Sequence, residues 1–253
     1  MMKRTGMVRC HAFAAAAFAC AGCEVAPPTR PVVFTLRPSH AALTAVAATD
    51  LVAVSPAATR WQLIDEEGRA IDAPVVAIAA EPSTTCGSST RVGEPSGDIQ
   101  FLASSDDGSV LCAAESPGDD AISHFSPALL VAPRQLSPGE AVMSRSSMRV
   151  DSTLDDGERD HGSCEQSVRI IGMSRLSTPL GVHEATEVES LFTATLGLTR
   201  VRHESHLWSV PGVGVIAQRW RERITVMGVP VRNRGGGAVR LPPAGTRAAA
   251  SAP

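Results

Sequence analysis

Two histidines near the carboxyl end of the chain are the first residues that could bind a metal ion. They lie in His203-Glu204-Ser205-His206, which combines imidazole and carboxylate groups within four positions. The surrounding residues predict a strand, and strand alternation places His203 and His206 on opposite faces. A single ion needs ligands that converge on one point. We therefore predict no metal site here and expect two solvent-exposed strand histidines.

A hydrolase that uses serine, histidine and aspartate is a second candidate chemistry, because serines and histidines are plentiful. The sequence contains no Gly-x-Ser-x-Gly motif, and such triads are recognised by a geometry that a sequence does not supply. Lys3 is the only lysine, so the chain beyond it cannot use a catalytic lysine amine. We expect a protein that is not an enzyme and has no cofactor, with a small hydrolase as the alternative.

An acidic segment is the third candidate, because clustered carboxylates supply the oxygen ligands that calcium prefers. Its members are Asp151, Asp155, Asp156, Glu158 and Asp160. The EF-hand spacing is absent, and Asp155-Asp156-Gly157 is typical of the turn at a hairpin tip. A solvated hairpin tip is the preferred interpretation, with calcium binding as the alternative.

The first 22 residues have the composition of an export signal. Lys3, Arg4 and Arg9 precede an apolar run of small residues at positions 12–22. In a helix this run would span about 16 Å, roughly half the hydrocarbon thickness of a bilayer, so it is too short to cross a membrane. We predict that residues 1–22 are a signal peptide that is removed.

The end of this segment, Ala21-Gly22-Cys23, resembles the lipobox of bacterial lipoproteins, whose cysteine is lipidated before cleavage. Lipidation of Cys23 would anchor the protein to a membrane by acyl chains alone. In such lipoproteins Asp after the cysteine favours retention in the inner membrane, and this chain has Glu24. The resemblance therefore implies the outer membrane rather than the inner membrane, with the domain in the periplasm or at the cell surface. A soluble exported protein and an alanine-rich cytosolic N-terminus are the alternatives.

Three cysteines remain once Cys10 and Cys20 leave with the signal and Cys23 is lipidated. In an oxidising compartment, three thiols form one disulfide and leave one thiol over. The pair Cys86 and Cys112 encloses the shortest loop and is the preferred disulfide, followed by the pair Cys112 and Cys164.

The central part of the chain, residues 39–232, predicts a single antiparallel β domain. Short β-branched runs alternate with Gly, Asp, Ser and Pro, and hairpin turns are predicted at residues 65–68 and 104–108. The clearest strands are residues 187–196, 199–210 and 213–229. In the first of them the alternation predicts one buried and one solvated face. Residues 41–54 are compatible with a helix or a strand, and we prefer the strand.

The two ends of the chain lack this pattern. Residues 23–38 contain four prolines and predict a stiff, extended tether behind the lipidated cysteine. Residues 233–253 contain Gly235-Gly236-Gly237 and almost no large apolar side chains. We predict that this carboxyl-terminal segment is a disordered tail.

From about residue 125 to residue 229, the order of elements resembles a group of poorly characterised bacterial envelope lipoproteins. The matching stretches are FSPALL (125–130), LSPGE (136–140), TPLGVHEA (178–185) and WSVPGVGV (208–215). In such proteins a long antiparallel sheet curls into an open half-barrel or clamp, broadly similar to the outer-membrane lipoprotein carriers that hold acyl chains. The resemblance implies a mainly-β fold with few or no helices and an envelope location, and it carries over no catalytic residue.

These observations lead to one functional hypothesis and two alternatives. The net charge of −3 disfavours nucleic-acid binding. We expect a non-catalytic lipoprotein, anchored to the membrane through its N-terminal lipid, whose curved sheet binds a lipid or other apolar ligand or an envelope protein partner. Its signature would be a concave, apolar, lidless face large enough for an acyl chain. The alternatives are the small hydrolase and a purely structural assembly factor, for which we expect a filled sheet interior and an apolar patch outside.

Overall fold

The computed structural model describes residues 31–52, 58–71, 75–155 and 157–243. Within these residues the protein is almost entirely β, with one four-residue helix, α1 (Ala48–Leu51), and a 3-10 turn at Pro117–Asp119. The strands are β1 (Thr35–Pro38), β2 (Val46–Ala47), β3 (Thr59–Ile64), β4 (Val76–Ile78), β5 (Ala80–Ser83), β6 (Ser89–Gly93), β7 (Ile99–Ser105), β8 (Gly108–Ser116), β9 (Ala121–Pro133), β10 (Gln135–Leu136), β11 (Ala141–Ser152), β12 (Glu158–Thr178), β13 (Gly181–Leu196), β14 (Thr199–Val210), β15 (Gly214–Val226) and β16 (Val229–Arg240). The mainly-β class predicted from the sequence is confirmed.

Fourteen strands form one antiparallel sheet in the order β4-β3-β16-β15-β14-β13-β12-β11-β9-β8-β7-β6-β5, and β1 lies beside β12. The two edge strands, β4 and β5, are consecutive in the chain and are separated only by Ala79. The sheet therefore curves round until its first and last strands approach each other. This nearly closed sheet confirms the predicted long, curved antiparallel architecture.

Long hairpins and local irregularities produce this curvature. The longest strand, β12, has 21 residues, and its ladder with β13 shifts register between Ile170 and Gly172. Similar shifts occur at Trp208/Ser209 on β14 and at Ile224/Thr225 on β15. Such bulges increase strand twist and bend the sheet, so it wraps around an interior instead of extending flat.

The two faces of the sheet have separate apolar cores. On the concave side, Leu102, Leu111, Phe125 and Met148 belong to one buried cluster. Along β14, Leu207 lines the concave side, so strand alternation turns Trp208 to the opposite face. There Trp208 packs against Phe34, with 5.4 Å between the ring centroids. The amino-terminal segment thus covers part of the convex face, and the concave face is left to enclose the interior.

Residues 41–54 match the preferred prediction of a strand only in part, because Val46–Ala47 form β2 and residues 48–51 form α1. Residues 53 and 54 lie outside the described residues. The helix is too short to be stable alone, and tertiary contacts hold it in place. The Ser209 hydroxyl donates a hydrogen bond of 2.8 Å to the Asp50 carbonyl, and the Gly212 N–H donates one of 3.1 Å to the Asp50 carboxylate. Leu51 is buried against the sheet. No helix in the described ranges is long and apolar enough to cross a membrane.

The carboxyl-terminal boundary also differs from the prediction. The expected strand at 213–229 is two strands, β15 and β16, joined at Met227-Gly228, and residues 233–240 belong to β16 instead of a disordered tail. A Cβ added at Gly236 would lie 2.7 Å from Trp220 Cζ2. The glycine run therefore allows the indole to pack against the strand, which composition alone does not reveal.

The amino-terminal prediction is modified in a similar way, because residues 35–38 of the expected tether form β1 and pair with Ser174–Ser177 of β12. Residues 1–30 and 244–253 lie outside the described residues. The predicted signal peptide, the lipidation site Cys23 and the last ten residues of the predicted tail are among them.

Candidate functional site

The curved sheet encloses a cavity of about 520 Å³, lined by residues of β3, β4, β6–β9 and β11–β16 and by α1. This volume falls within the range of about 300–1,000 Å³ that is usual for small-molecule sites. A shallower depression of about 370 Å³ on the outer face is lined by polar residues such as Arg145, Glu165 and Thr193. The interior cavity is therefore the candidate binding site.

One part of the cavity wall is apolar. Leu102, Leu111 and Met148 each have less than a tenth of their surface exposed. Phe125 and Phe192 meet edge to face, with 6.1 Å between their ring centroids. These side chains lie on the concave face because each strand turns alternate residues inward. The wall offers an apolar ligand a surface without a hydrogen-bonding requirement.

The cavity is not lidless, in contrast to the expectation from the sequence. Leu51 of α1 and the following Val52 line it, and α1 contacts β9, β14 and β15, which lie on different sides of the interior. The helix therefore covers one end of the concave space. A ligand in the interior would be bounded by this helix as well as by the sheet.

The purely structural alternative predicted a filled interior and an apolar patch outside. The interior is not filled, because the cavity remains among the core side chains. Apolar residues are nevertheless exposed at two neighbouring hairpin tips: Leu198 is 67% exposed and Met227 is 74% exposed. The Met227 N–H donates a hydrogen bond of 3.0 Å to the Leu198 carbonyl, so the two tips are adjacent. The structure thus combines features of the binding and structural hypotheses.

Another part of the cavity wall carries a network of ion pairs between opposite flanks of the sheet. Arg232 on β16 contacts Asp119, which follows β8, with an Nη1–Oδ2 distance of 2.7 Å. Arg234 contacts Glu222 at 2.8 Å and Asp98 at 3.6 Å. The hydrogen bond from Arg232 lowers the pKa of the Asp119 carboxyl. Because β8 and β16 lie far apart in the sheet order, these contacts fasten the flanks across the interior.

Glu94 contributes a carboxyl group that has no such partner. It lies in the turn between β6 and β7, where its N–H donates a hydrogen bond of 2.7 Å to the Asp98 carbonyl. Burial raises the pKa of the Glu94 carboxyl to about 7, although a side-chain hydrogen bond with Gln218 on β15 acts in the opposite direction. Among the described residues, Glu94 has no ion pair with an arginine or histidine. A buried carboxyl group without a cationic partner favours a ligand that brings a positive charge next to it.

The two strand histidines lie on opposite faces, as the alternation predicts. His203 lines the cavity, 4.0 Å from Glu222, and burial lowers its pKa. His206 lies on the convex face, where Nδ1 is 3.0 Å from Glu187 and Nε2 is 3.4 Å from Glu204. The hydrogen bond with Glu187 raises the pKa of His206. Both side chains are half-buried, whereas the sequence suggested exposed ones.

A group of possible metal ligands on the convex face was not predicted from the sequence. Ligand atoms of Glu189, Glu204 and His206 lie within 4.8 Å of one another. Sequence reasoning compared the two histidines with each other and did not consider the glutamates of the neighbouring strand, although the β13–β14 hairpin brings them together. Both carboxylates already pair with arginines, Glu189 with Arg169 at 2.7 Å and Glu204 with Arg202 at 3.0 Å.

The acidic segment does not converge on one point within the described residues. Asp151 pairs with Arg149 at 2.9 Å and lies 3.5 Å from His124. Glu158 pairs instead with His161 at 2.9 Å. These carboxylates face different partners, as on a solvated hairpin. Asp156 lies outside the described residues.

The hydrolase alternative required a serine hydroxyl hydrogen-bonded to a histidine ring in a cleft. In the described part of the chain, the hydrogen-bonded ring nitrogens belong to His161, His183 and His206. Their partners are glutamate carboxylates and the Leu180 carbonyl. The arrangement that would support a hydrolase is therefore not formed by the described histidines.

The cysteines have two distinct environments. Cys86 and Cys112 form a disulfide with 6.2 Å between their Cα atoms, and this is the pair that encloses the shortest loop. The bond ties the turn between β5 and β6 to β8. Cys164 is a free, buried thiol, and burial raises its pKa to about 11. A thiol with this pKa is protonated and weakly reactive at neutral pH.

Comparison with known proteins gives a structural similarity and no match to a protein family. No family model matches the chain, and no curated protein matches it significantly. A crystal structure of the hypothetical lipoprotein YmcC from Escherichia coli is similar, with 10% sequence identity and a TM-score of 0.38. The alignment covers 76% of this chain and 89% of that chain. The resemblance to outer-membrane lipoprotein carriers stays a prediction.

Proposed function

We propose that this protein is a non-catalytic lipoprotein of the bacterial envelope that binds an apolar ligand inside its curved sheet. The observation that carries the proposal is the cavity of about 520 Å³ with Leu102, Phe125 and Phe192 on its wall. Apolar surface that a ligand covers is removed from water, at about 25 cal/mol for each Å². The binding hypothesis therefore needs no chemistry beyond what the cavity wall supplies.

The contacts around the cavity favour a preformed site. The disulfide between Cys86 and Cys112 restrains one flank of the sheet. The pair formed by Arg232 and Asp119 joins that flank to the carboxyl-terminal strands. Sites that are organised before binding lose less conformational entropy when the ligand enters. This framework supports a holding function, by which we mean that the protein binds a ligand in the cavity without a large change in its own conformation.

The proposed location rests on the sequence. The signal-like residues 1–22 and the lipobox-like Cys23 support an exported protein anchored by lipid, and Glu24 supports the outer membrane over the inner membrane. An intact-mass measurement on native material tests this part. We expect cleavage before residue 23 and the added mass of acyl chains on Cys23, and an uncut chain or a bare Cys23 would contradict the location.

The binding proposal is tested by filling the cavity. Ala114 lines it, and Ala114→Trp would place an indole in the ligand's space. Ala141→Trp is the matched control because Ala141 is exposed on β11. We expect mass spectrometry of organic extracts to find an apolar ligand with the wild-type protein and with Ala141→Trp, and to find it depleted in Ala114→Trp.

Two results would contradict this expectation. If Ala114→Trp retains the same ligand at the same ratio, the ligand does not occupy the cavity. If the wild-type protein yields no ligand and does not bind an added fluorescent apolar probe, the holding function is wrong. An envelope protein partner would then be the better explanation for the exposed tips at Leu198 and Met227.

A further inference from the structure

The charged groups that line the cavity are unequal in number. The acidic ones outnumber the arginines by six to three. The acids are Glu94, Asp98, Glu115, Asp119, Asp160 and Glu222, and the arginines are Arg219, Arg232 and Arg234. For a charged ligand, the groups that matter are those without a partner of opposite charge. A side chain that is already paired gains little from a second partner.

The two arginines whose side chains face the interior already pair with carboxylates. Arg232 contacts both Asp119 and Glu222, and Arg234 contacts both Glu222 and Asp98. Arg219 turns away from the interior. Its Nη2 donates a hydrogen bond of 2.9 Å to the Glu66 carbonyl, and its guanidinium lies 5.1 Å from the centroid of the Phe34 ring. An anionic ligand would therefore find no unpaired cation on the described wall.

Glu94 is in the opposite situation. Within the described ranges its carboxyl group pairs with no arginine or histidine, and the side chains that act on it are the neutral Gln218 and the negatively charged Asp98. Gln218 pairs across the ladder with Leu207, and both residues line the cavity. Glu94 lines the same cavity, and its burial there deprives the ionised carboxyl group of part of the hydration it has in water. A cationic donor that reached it would replace the missing hydration with a charge-assisted hydrogen bond.

We propose that the ligand is an amphipath with a cationic amine, that the Glu94 carboxylate binds this amine, and that its apolar part lies against Leu102, Phe125 and Phe192. This inference rests on the proposed function, since it requires that the cavity binds a ligand. It adds the chemistry of the polar end, which the apolar wall does not specify. A carboxylate or phosphate at that end would instead face Glu94 without a compensating charge.

The test uses three probes with the same dodecyl chain and different polar ends: dodecylamine, dodecanol and dodecanoic acid. Each displaces a fluorescent apolar probe from the full chain at about pH 8, where a carboxyl group of raised pKa is largely ionised. We expect the amine to bind at least tenfold more tightly than the alcohol and the acid. In Glu94→Gln the advantage of the amine should disappear, while the affinity for dodecanol should be unchanged.

The alcohol reports on the cavity itself, so a misfolded variant is recognised by loss of dodecanol binding in Glu94→Gln. In that case Glu94→Asp, which keeps the charge, takes its place and should weaken amine binding selectively. Glu140→Gln, at an exposed glutamate outside the cavity, is the control for a general change in charge. It should leave all three affinities unchanged.

The outcomes separate the two proposals. If the wild-type protein binds the acid or the alcohol as tightly as the amine, the assignment of a cationic end is wrong and the holding function stands. If the preference for the amine survives in Glu94→Gln, Glu94 is not the group that binds it. If the wild-type protein binds none of the three, the cavity is not a ligand site and both proposals fail.

Discussion

Replacing Glu94 with glutamine should change the dependence of stability on pH. The ordinary pKa of 4.5 becomes about 7 in the folded protein, chiefly because of burial. A difference of one pKa unit between the folded and unfolded states is worth about 1.36 kcal/mol. Complete ionisation of Glu94 would therefore lower the free energy of unfolding by about 3 kcal/mol. Water that enters the cavity would reduce this cost, and we expect a value of about 1–3 kcal/mol.

The sign follows from proton binding. Between pH 4.5 and about 7 the folded carboxyl group holds a proton that the unfolded one has released. Stability therefore falls as the pH rises through this interval and levels off above it. Glu94→Gln removes this term only, so its free energy of unfolding relative to the wild type should increase by about 1–3 kcal/mol from about pH 4.5 to about pH 8.

Urea unfolding of both proteins at a series of pH values measures this difference, because the other titrating groups cancel in the comparison. Glu140→Gln, at an exposed position, should show a difference that does not depend on pH. If the difference between Glu94→Gln and the wild type is constant with pH, Glu94 is not buried as an acid. If the difference decreases as the pH rises, a cation already compensates Glu94, and its proposed role in ligand binding is refuted.

Two further predictions concern other parts of the fold. Gly236→Ala would place a Cβ 2.7 Å from the Trp220 ring, so we expect a loss of about 1–3 kcal/mol in urea unfolding. Gly172→Ala, whose Cβ would meet open space, should cost clearly less, and equal losses would show that β16 adapts to the indole freely. His206→Gln should destabilise the protein more at about pH 5.5 than at about pH 9. The pKa of His206 is raised in the folded protein, so its protonated form stabilises the fold. This contribution is lost as the pH rises through the pKa of the folded state. The exposed His40 serves as the control through His40→Gln, and an effect of His206→Gln that is equal at both pH values would contradict the proposed imidazolium–carboxylate contacts.

The strands were the most predictable part of the fold, because their signals are local. In β13, Val188, Ala194 and Leu196 are buried while Thr195 is exposed, which is the alternation that the sequence shows. The Asp-Gly turn between β7 and β8 was also identified from its own residues, since this dipeptide tolerates the backbone that a tight hairpin requires. Information of this kind lies within a few positions of each element.

The short helix and the last strand were not predictable in this way. α1 depends on Ser209 and Gly212, which bond to Asp50 from the far part of the chain. The strand character of Gly236 depends on Trp220, which needs the space that a side chain would occupy. In both cases the decisive interaction is tertiary, and local composition favours a different structure.

The candidate site shows the same limit. Inward alternation could identify residues such as Phe192 and Val201 as interior, but nothing local marks Arg232 as the partner of Asp119 or Glu94 as a carboxyl group without a cation. These features exist only because the sheet brings opposite flanks together. The sequence therefore predicted which side chains face the interior. Only the structure showed which charged groups in the interior pair with one another.

The pairing of β3 with β16 has a consequence for how the molecule acquires its shape. Trp61 lies opposite Arg240, so the ladder joins early residues to almost the last described ones. Closing so large a loop costs conformational entropy, and pairings between residues so far apart in the sequence slow folding. The early strand stays without this neighbour until residues 237–240 have been made. Synthesis and completion of the tertiary structure should thus be separated in time, and the cavity should exist only after the final strand has docked.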